Sequence, residues 1–181
     1  MSPILGILAS STSGANAVGN YESIQTYTVG SGGSSLITFS SIAADWKHLQ
    51  LRVLLKPVTN NTWLLGQVNG ITTAKYSWHE LYGNGATASA GGASNQTAMI
   101  LMDNISNANF GAAVIDYLNY SNSNINKTVK SLAGQDNNGS GYMGLYSSLY
   151  WNNTSPITQI DLYLSSGNFA QYSSFALYGI K

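Results

Sequence analysis

No stretch of a dozen residues in this chain keeps apolar side chains at i, i+3, i+4 and i+7, so there is no amphipathic helix to build a core from. What recurs instead is alternation with a period of two. Leu49, Leu51, Val53 and Leu55 alternate with His48, Gln50, Arg52 and Leu54, the pattern of a strand with one buried face. Ile160, Leu162 and Leu164 alternate with Gln159, Asp161 and Tyr163 in the same way. Between such segments stand clusters of Gly, Asn and Ser, the residues that turns require.

Read this way, the chain predicts eleven strands: Tyr21–Val29, Ser35–Ser40, Lys47–Leu55, Trp63–Val68, Thr72–Tyr82, Gln96–Met102, Phe110–Tyr120, Thr128–Gln135, Tyr142–Trp151, Ile157–Leu164 and Ser174–Ile180. Asn69-Gly70 is the dipeptide favoured in two-residue hairpin turns, because both central residues need positive φ. It predicts a hairpin between the fourth and fifth strands. Gly83 to Asn95 reads as a loop of small residues. Strands without intervening helices bury one face against another sheet. The expected fold is therefore all-β, an antiparallel two-sheet sandwich of jelly-roll-like type.

The chain divides into an arm, residues 1–20, and a sandwich domain, residues 21–181. The arm carries Ile4, Leu5, Ile7 and Leu8, which are candidates for attachment to a partner by adding a strand to a sheet edge. A secretory signal would place positive charge ahead of a longer apolar stretch, and no Lys or Arg precedes Lys47.

Composition narrows the function. Seven basic and seven acidic residues give zero formal net charge, and charged residues are only 8% of the chain. Nucleic-acid binders need clustered Lys and Arg, so no nucleic-acid partner is expected. No apolar run approaches the length of a membrane-spanning helix, so no membrane partner is expected either. The absence of cysteine removes disulfides, thiolate metal sites and cysteine nucleophiles. Polarity comes instead from 25 Ser, 13 Thr and 19 Asn. Neutral proteins associate readily, which suits life inside an assembly.

Catalysis finds little support. His48 and His79 are the only candidate bases for a hydrolytic triad, and no Gly-x-Ser-x-Gly elbow surrounds a serine. A glycosidase would need two of Glu22, Asp45, Glu80, Asp103, Asp116, Asp136 and Asp161 to meet in a cleft, and all seven stand singly in the chain. Asp136-Asn137-Asn138-Gly139-Ser140-Gly141 imitates the start of a calcium loop, but Ser147 occupies the twelfth position where a bidentate Glu belongs. It reads as an Asn-Gly turn. Neither metal nor cofactor is expected.

Aromatic residues are the remaining candidates. Tyr76, Trp78 and Tyr82 share one side of an extended strand by their even spacing, with His79 among them. Aromatic rings beside neutral hydrogen-bonding groups suit uncharged ligands, and these four residues form a candidate glycan site.

Several stretches resemble small structural or tail-fibre-like virion proteins of tailed bacteriophages of the cyanophage type. They are YESIQTYTVGSGGSSLITFSSI (Tyr21–Ile42), WKHLQLRV (Trp46–Val53), YSWHELYGNG (Tyr76–Gly85), AAVIDYLNYSN (Ala112–Asn122), KTVKSLAGQDNNGSG (Lys127–Gly141) and SSGNFAQYSSFALYGIK (Ser165–Lys181), the closing SSFALYGIK being the most specific. The resemblance implies a β-sandwich on the exterior of a phage particle, commonly a homotrimer, with no catalytic residues to carry over. The expectation is a non-enzymatic virion protein, a trimeric capsid decoration or cement protein. Its partners would be its own copies and other virion proteins, either the major capsid protein or a tail or baseplate adaptor. The alternative is a tail-fibre or baseplate adhesin that binds host-surface glycan.

Overall fold

A computed structural model describes residues 20–151 and 153–181. The proposed attachment residues Ile4, Leu5, Ile7 and Leu8 lie outside the described residues. Among the described residues twelve strands follow in chain order: β1 (Tyr21–Thr28), β2 (Leu36–Phe39), β3 (His48–Leu55), β4 (Thr62–Val68), β5 (Tyr76–Gly83), β6 (Ala88–Gln96), β7 (Met99–Ile105), β8 (Gly111–Leu118), β9 (Lys127–Asp136), β10 (Gly141–Tyr150), β11 (Ile160–Leu164) and β12 (Ser174–Ile180). They form an eight-stranded sheet in the order β1-β12-β3-β8-β9-β10-β5-β6 and a four-stranded sheet in the order β2-β11-β4-β7. Every pairing is antiparallel. The chain crosses between sheets at most connections, so the fold is the jelly-roll-like two-sheet sandwich expected.

Alternation decides what lies between the sheets. Leu49, Leu51, Val53 and Leu55 of β3 face Ile37, Phe39, Leu64, Val68, Ile160 and Leu162 of the smaller sheet in one continuous core. β7 is buried on both faces over most of its length, and it packs across β9 and β10 of the larger sheet. Its unbroken run Met-Ile-Leu-Met is the pattern of a strand covered on both sides.

Two expectations are corrected. The segment Gly83 to Asn95, read as a loop, turns tightly at Asn84–Thr87 and then forms edge strand β6. Small residues carry little strand propensity, so the signal was weak, yet β5 needs them. A Cβ on Gly91 would lie 2.7 Å from Glu80 Oε1, and one on Gly92 would lie 2.7 Å from the His79 ring. Two β5 side chains thus drape over opposite faces of a glycine pair.

The second correction concerns Asn69-Gly70. Both residues have positive φ (53° and 65°), and the Ile71 N–H donates to the Val68 carbonyl at 3.0 Å, so the tight turn forms. The strands it joins do not pair. β4 belongs to the smaller sheet and β5 to the larger, and the turn carries the chain from one to the other. The Asn69 side chain explains the diversion. Its Oδ1 accepts from the backbone N–H groups of Thr158 and Gln159, and its Nδ2 donates to the Pro156 carbonyl, fixing the turn to the segment entering β11.

Candidate functional site

Strand alternation divides the four glycan-site candidates between two faces. Tyr76 points into the sandwich and is fully buried, stacked on Tyr150 at 5.3 Å, with its hydroxyl donating to the Ile71 carbonyl. A ring sealed in the core offers no face to a sugar. Trp78 is half-buried against the same core, and Tyr82 leans on Tyr142 at 5.8 Å. His79 emerges on the opposite, outer face of the eight-stranded sheet. The quartet is not one surface.

His48 accepts a hydrogen bond at Nδ1 from the Asn119 N–H, a structural role. His79 and Ser147 are cross-strand neighbours, but no hydrogen bond joins them among the described residues. The nearest acid in that row, Asp116, lies two strands beyond Ser147 and accepts from Gln50 Nε2.

One carboxylate pair does approach. Glu80 on β5 and Asp103 on β7 lie on the inner side. Burial pushes both pKa values up, and the charge on Asp103 raises Glu80 further. Asp103 is almost sealed and accepts from Asn104 N and Nδ2, while its own N–H donates to the Tyr146 hydroxyl. Glu80 Oε2 is buried with no hydrogen-bond partner. Hydrolysis by two carboxyls requires a substrate between them. The depression that Glu80 borders, on the outer sheet face, is not lined by Asp103.

The outer face of the eight-stranded sheet is the distinctive surface, and sequence reasoning missed it. Reading registers across the strands gives one row, Ala90–Leu81–Leu145–Leu132–Val114–Arg52, from β6 to β3. Leu81, Leu145 and Leu132 are each more than half exposed, and Val114 is 39% exposed. The next row places Met143, 67% exposed, and Leu54 on the same face. The row on the other flank is polar: His79, Ser147, Lys130, Asp116 and Gln50. Leu81, Leu132, Leu145 and Val114 line a depression of about 680 Å³. Scattered exposed leucines are ordinary, but a contiguous band marks a contact surface.

At the β1 side the same face carries a different chemistry. Tyr21 and Tyr178 stack at 4.8 Å, and the Arg52 guanidinium lies 5.4 and 5.5 Å from the two ring centroids. Gln50 Oε1 accepts from both the Tyr21 hydroxyl and Arg52 Nε. A legible signal for the apolar band did exist. In β10, Met143 and Leu145 alternate with Tyr142, Gly144 and Tyr146, so this strand is apolar on both faces of a sheet that has only one covered.

No family model matches the chain. No curated protein matches it either. Among solved structures it is similar to galectin LEC-6 of Caenorhabditis elegans, with a TM-score of 0.38 and 8% identity, over 83% of this chain and 94% of that one.

Proposed function

We propose that this chain is a non-enzymatic structural module on the exterior of a bacteriophage particle, a capsid decoration or cement protein that acts in several copies. The observation that carries the proposal is the band of Leu81, Leu145, Leu132, Val114 and Met143, an apolar sheet face uncovered among the described residues. Such a face is costly in a free monomer and stabilising in an assembly. The segments that resemble phage virion proteins agree with it. A module that binds only the assembled shell stabilises the shell by mass action, and several linked copies strengthen each weak contact. Attachment through Ile4, Leu5, Ile7 and Leu8 remains part of the proposal.

A second reading, an adhesin for host-surface glycan, is favoured by one observation: the Tyr21–Tyr178 stack with Arg52 and Gln50 beside it. That cluster, not Tyr76, would be its sugar platform.

Electron microscopy of purified particles tests the proposal. Decoration requires many copies spread over the capsid shell. A few copies at the tail would favour the adhesin, and a particle without this chain would end both readings. Deleting residues 2–19 should abolish incorporation while leaving the sandwich folded; incorporation of the truncated protein would move attachment to the sandwich surface.

A further inference from the structure

We propose that the outer face of the eight-stranded sheet docks on a second copy of itself, about a two-fold axis parallel to the strands and passing between β8 and β9. An isologous contact requires that each residue meet a complementary one, and that the reciprocal pair do the same. The rows satisfy this for that axis. The axis exchanges β8 with β9 and β3 with β10, while keeping each residue at its own level along the strands. Leu132 of one copy then meets Val114 of the other, and Met143 meets Leu54. In the polar row Lys130 meets Asp116, and it does so twice.

The charge pattern selects this axis. Within one sheet Lys130 and Asp116 are directly opposed cross-strand partners. Stacking two such pairs about the axis between them alternates the signs in both directions, so each acid has a base beside it and above it. Shifting the axis by half a strand spacing onto β9 sets Lys130 against Lys130, and onto β8 sets Asp116 against Asp116; like charges at a buried contact are penalised. Gly134 opposite Ala112 leaves the centre of the contact without bulk that would hold the sheets apart. One pairing is imperfect: Leu145 meets Arg52, whose aliphatic stem can cover it while its guanidinium stays on the two tyrosines.

Size is adequate. Six strands at about 4.8 Å and four same-face rows at about 6.8 Å, the three above and Ser77–Leu149–Thr128–Leu118 beyond the polar one, give a patch of about 29 Å by about 27 Å, close to the roughly 800 Å² per partner of a standard interface. Stacked sheets sit about 10 Å apart with side chains interdigitated, so the dimer is two sandwiches back to back. This two-fold pairing stands in place of the three-fold assembly that the sequence resemblance implies, and it is independent of where in a particle the module sits.

Sedimentation equilibrium of the full chain, with charge reversal, tests it. The unsubstituted protein is expected at twice its 19.2 kDa. Lys130→Asp alone and Asp116→Lys alone should each weaken the dimer at least tenfold, and the doubly swapped K130D/D116K should restore it. Leu132→Asp, at an exposed position that folding does not need, should give a monomer with an unchanged circular-dichroism spectrum. A monomer or trimer for the unsubstituted chain would overturn the proposal. So would a dimer indifferent to these substitutions, or a double swap no better than the single ones. Failure here, with the chain still found on particles, leaves the virion reading standing; a dimer absent from particles does the reverse.

Discussion

Replacing Lys127 with methionine is expected to be among the most damaging single substitutions in the protein, although among the described residues no acid pairs with this lysine. Lys127 opens β9 and is fully buried. Its ammonium donates to three backbone carbonyls, those of Asn122 at 2.5 Å, Ile125 at 2.7 Å and Thr154 at 2.9 Å. It therefore ties the loop before β9 to the segment after β10. Methionine fills most of the same volume and donates nothing. Asn122, Ile125 and Thr154 are themselves exposed, so each lost hydrogen bond counts at its net worth of about 1 kcal/mol. Three give a loss of about 3 kcal/mol, a large share of the roughly 5–15 kcal/mol that holds a domain together. At about 2–4 °C per kcal/mol for a chain of this size, the melting temperature should fall by about 6–12 °C. Equilibrium urea unfolding is the assay, with the midpoint lowered and the slope unchanged. A loss below about 1 kcal/mol would refute the reasoning, because water or a relaxed loop would then satisfy the carbonyls.

Other expected outcomes follow the same physics. Burial raises the pKa of Tyr76 to about 12, and raises Tyr117 and Tyr146 as well, so the folded state holds these protons more tightly than the unfolded chain. The stability they contribute is complete below pH 10 and is lost as pH rises towards 12 and above; a melting temperature flat from pH 9 to 12 would contradict this. Glu80 and Asp103 also have raised values, so they favour folding below the ordinary carboxyl range and cost stability once ionised. Glu80→Gln should therefore raise the melting temperature at pH 7 more than at pH 4. Gly179→Ala should cost about 1–3 kcal/mol by urea unfolding, since its Cβ would lie 2.1 Å from the Trp46 ring. Gly30→Ala, with nothing within 4 Å, is the near-neutral control.

Strand positions were legible wherever one face alone is apolar. β3, β11 and β12 follow directly from alternation, because the buried set Leu49, Leu51, Val53 and Leu55 and the set Phe175 and Leu177 have no competing pattern. Edge strand β6 was not legible, since Ala, Ser and Gly are strand residues there only because Glu80 and His79 lie across them. Sheet membership was not legible either. Asn69-Gly70 specifies its turn by local φ preferences, whereas the crossing between sheets depends on hydrogen bonds from Asn69 to residues near 158. The candidate site suffered most. Spacing correctly grouped Tyr76, Trp78 and Tyr82 on one face but could not say that this face is the covered one. The exposed band joins β5, β8, β9 and β10, whose adjacency is a property of strand order.

Cross-linking tests the contact between outer faces most directly, and the cysteine-free chain makes it clean. Two singly substituted proteins, Met143→Cys and Leu54→Cys, are mixed and treated with a bis-maleimide about 10 Å long, the spacing of stacked sheets. Met143 of one copy lies over Leu54 of the other, whereas like residues are three strands apart laterally, about 14 Å. The mixture should yield cross-linked dimers and neither protein alone should do so. Equal cross-linking in all three samples, or none in the mixture, would contradict the account.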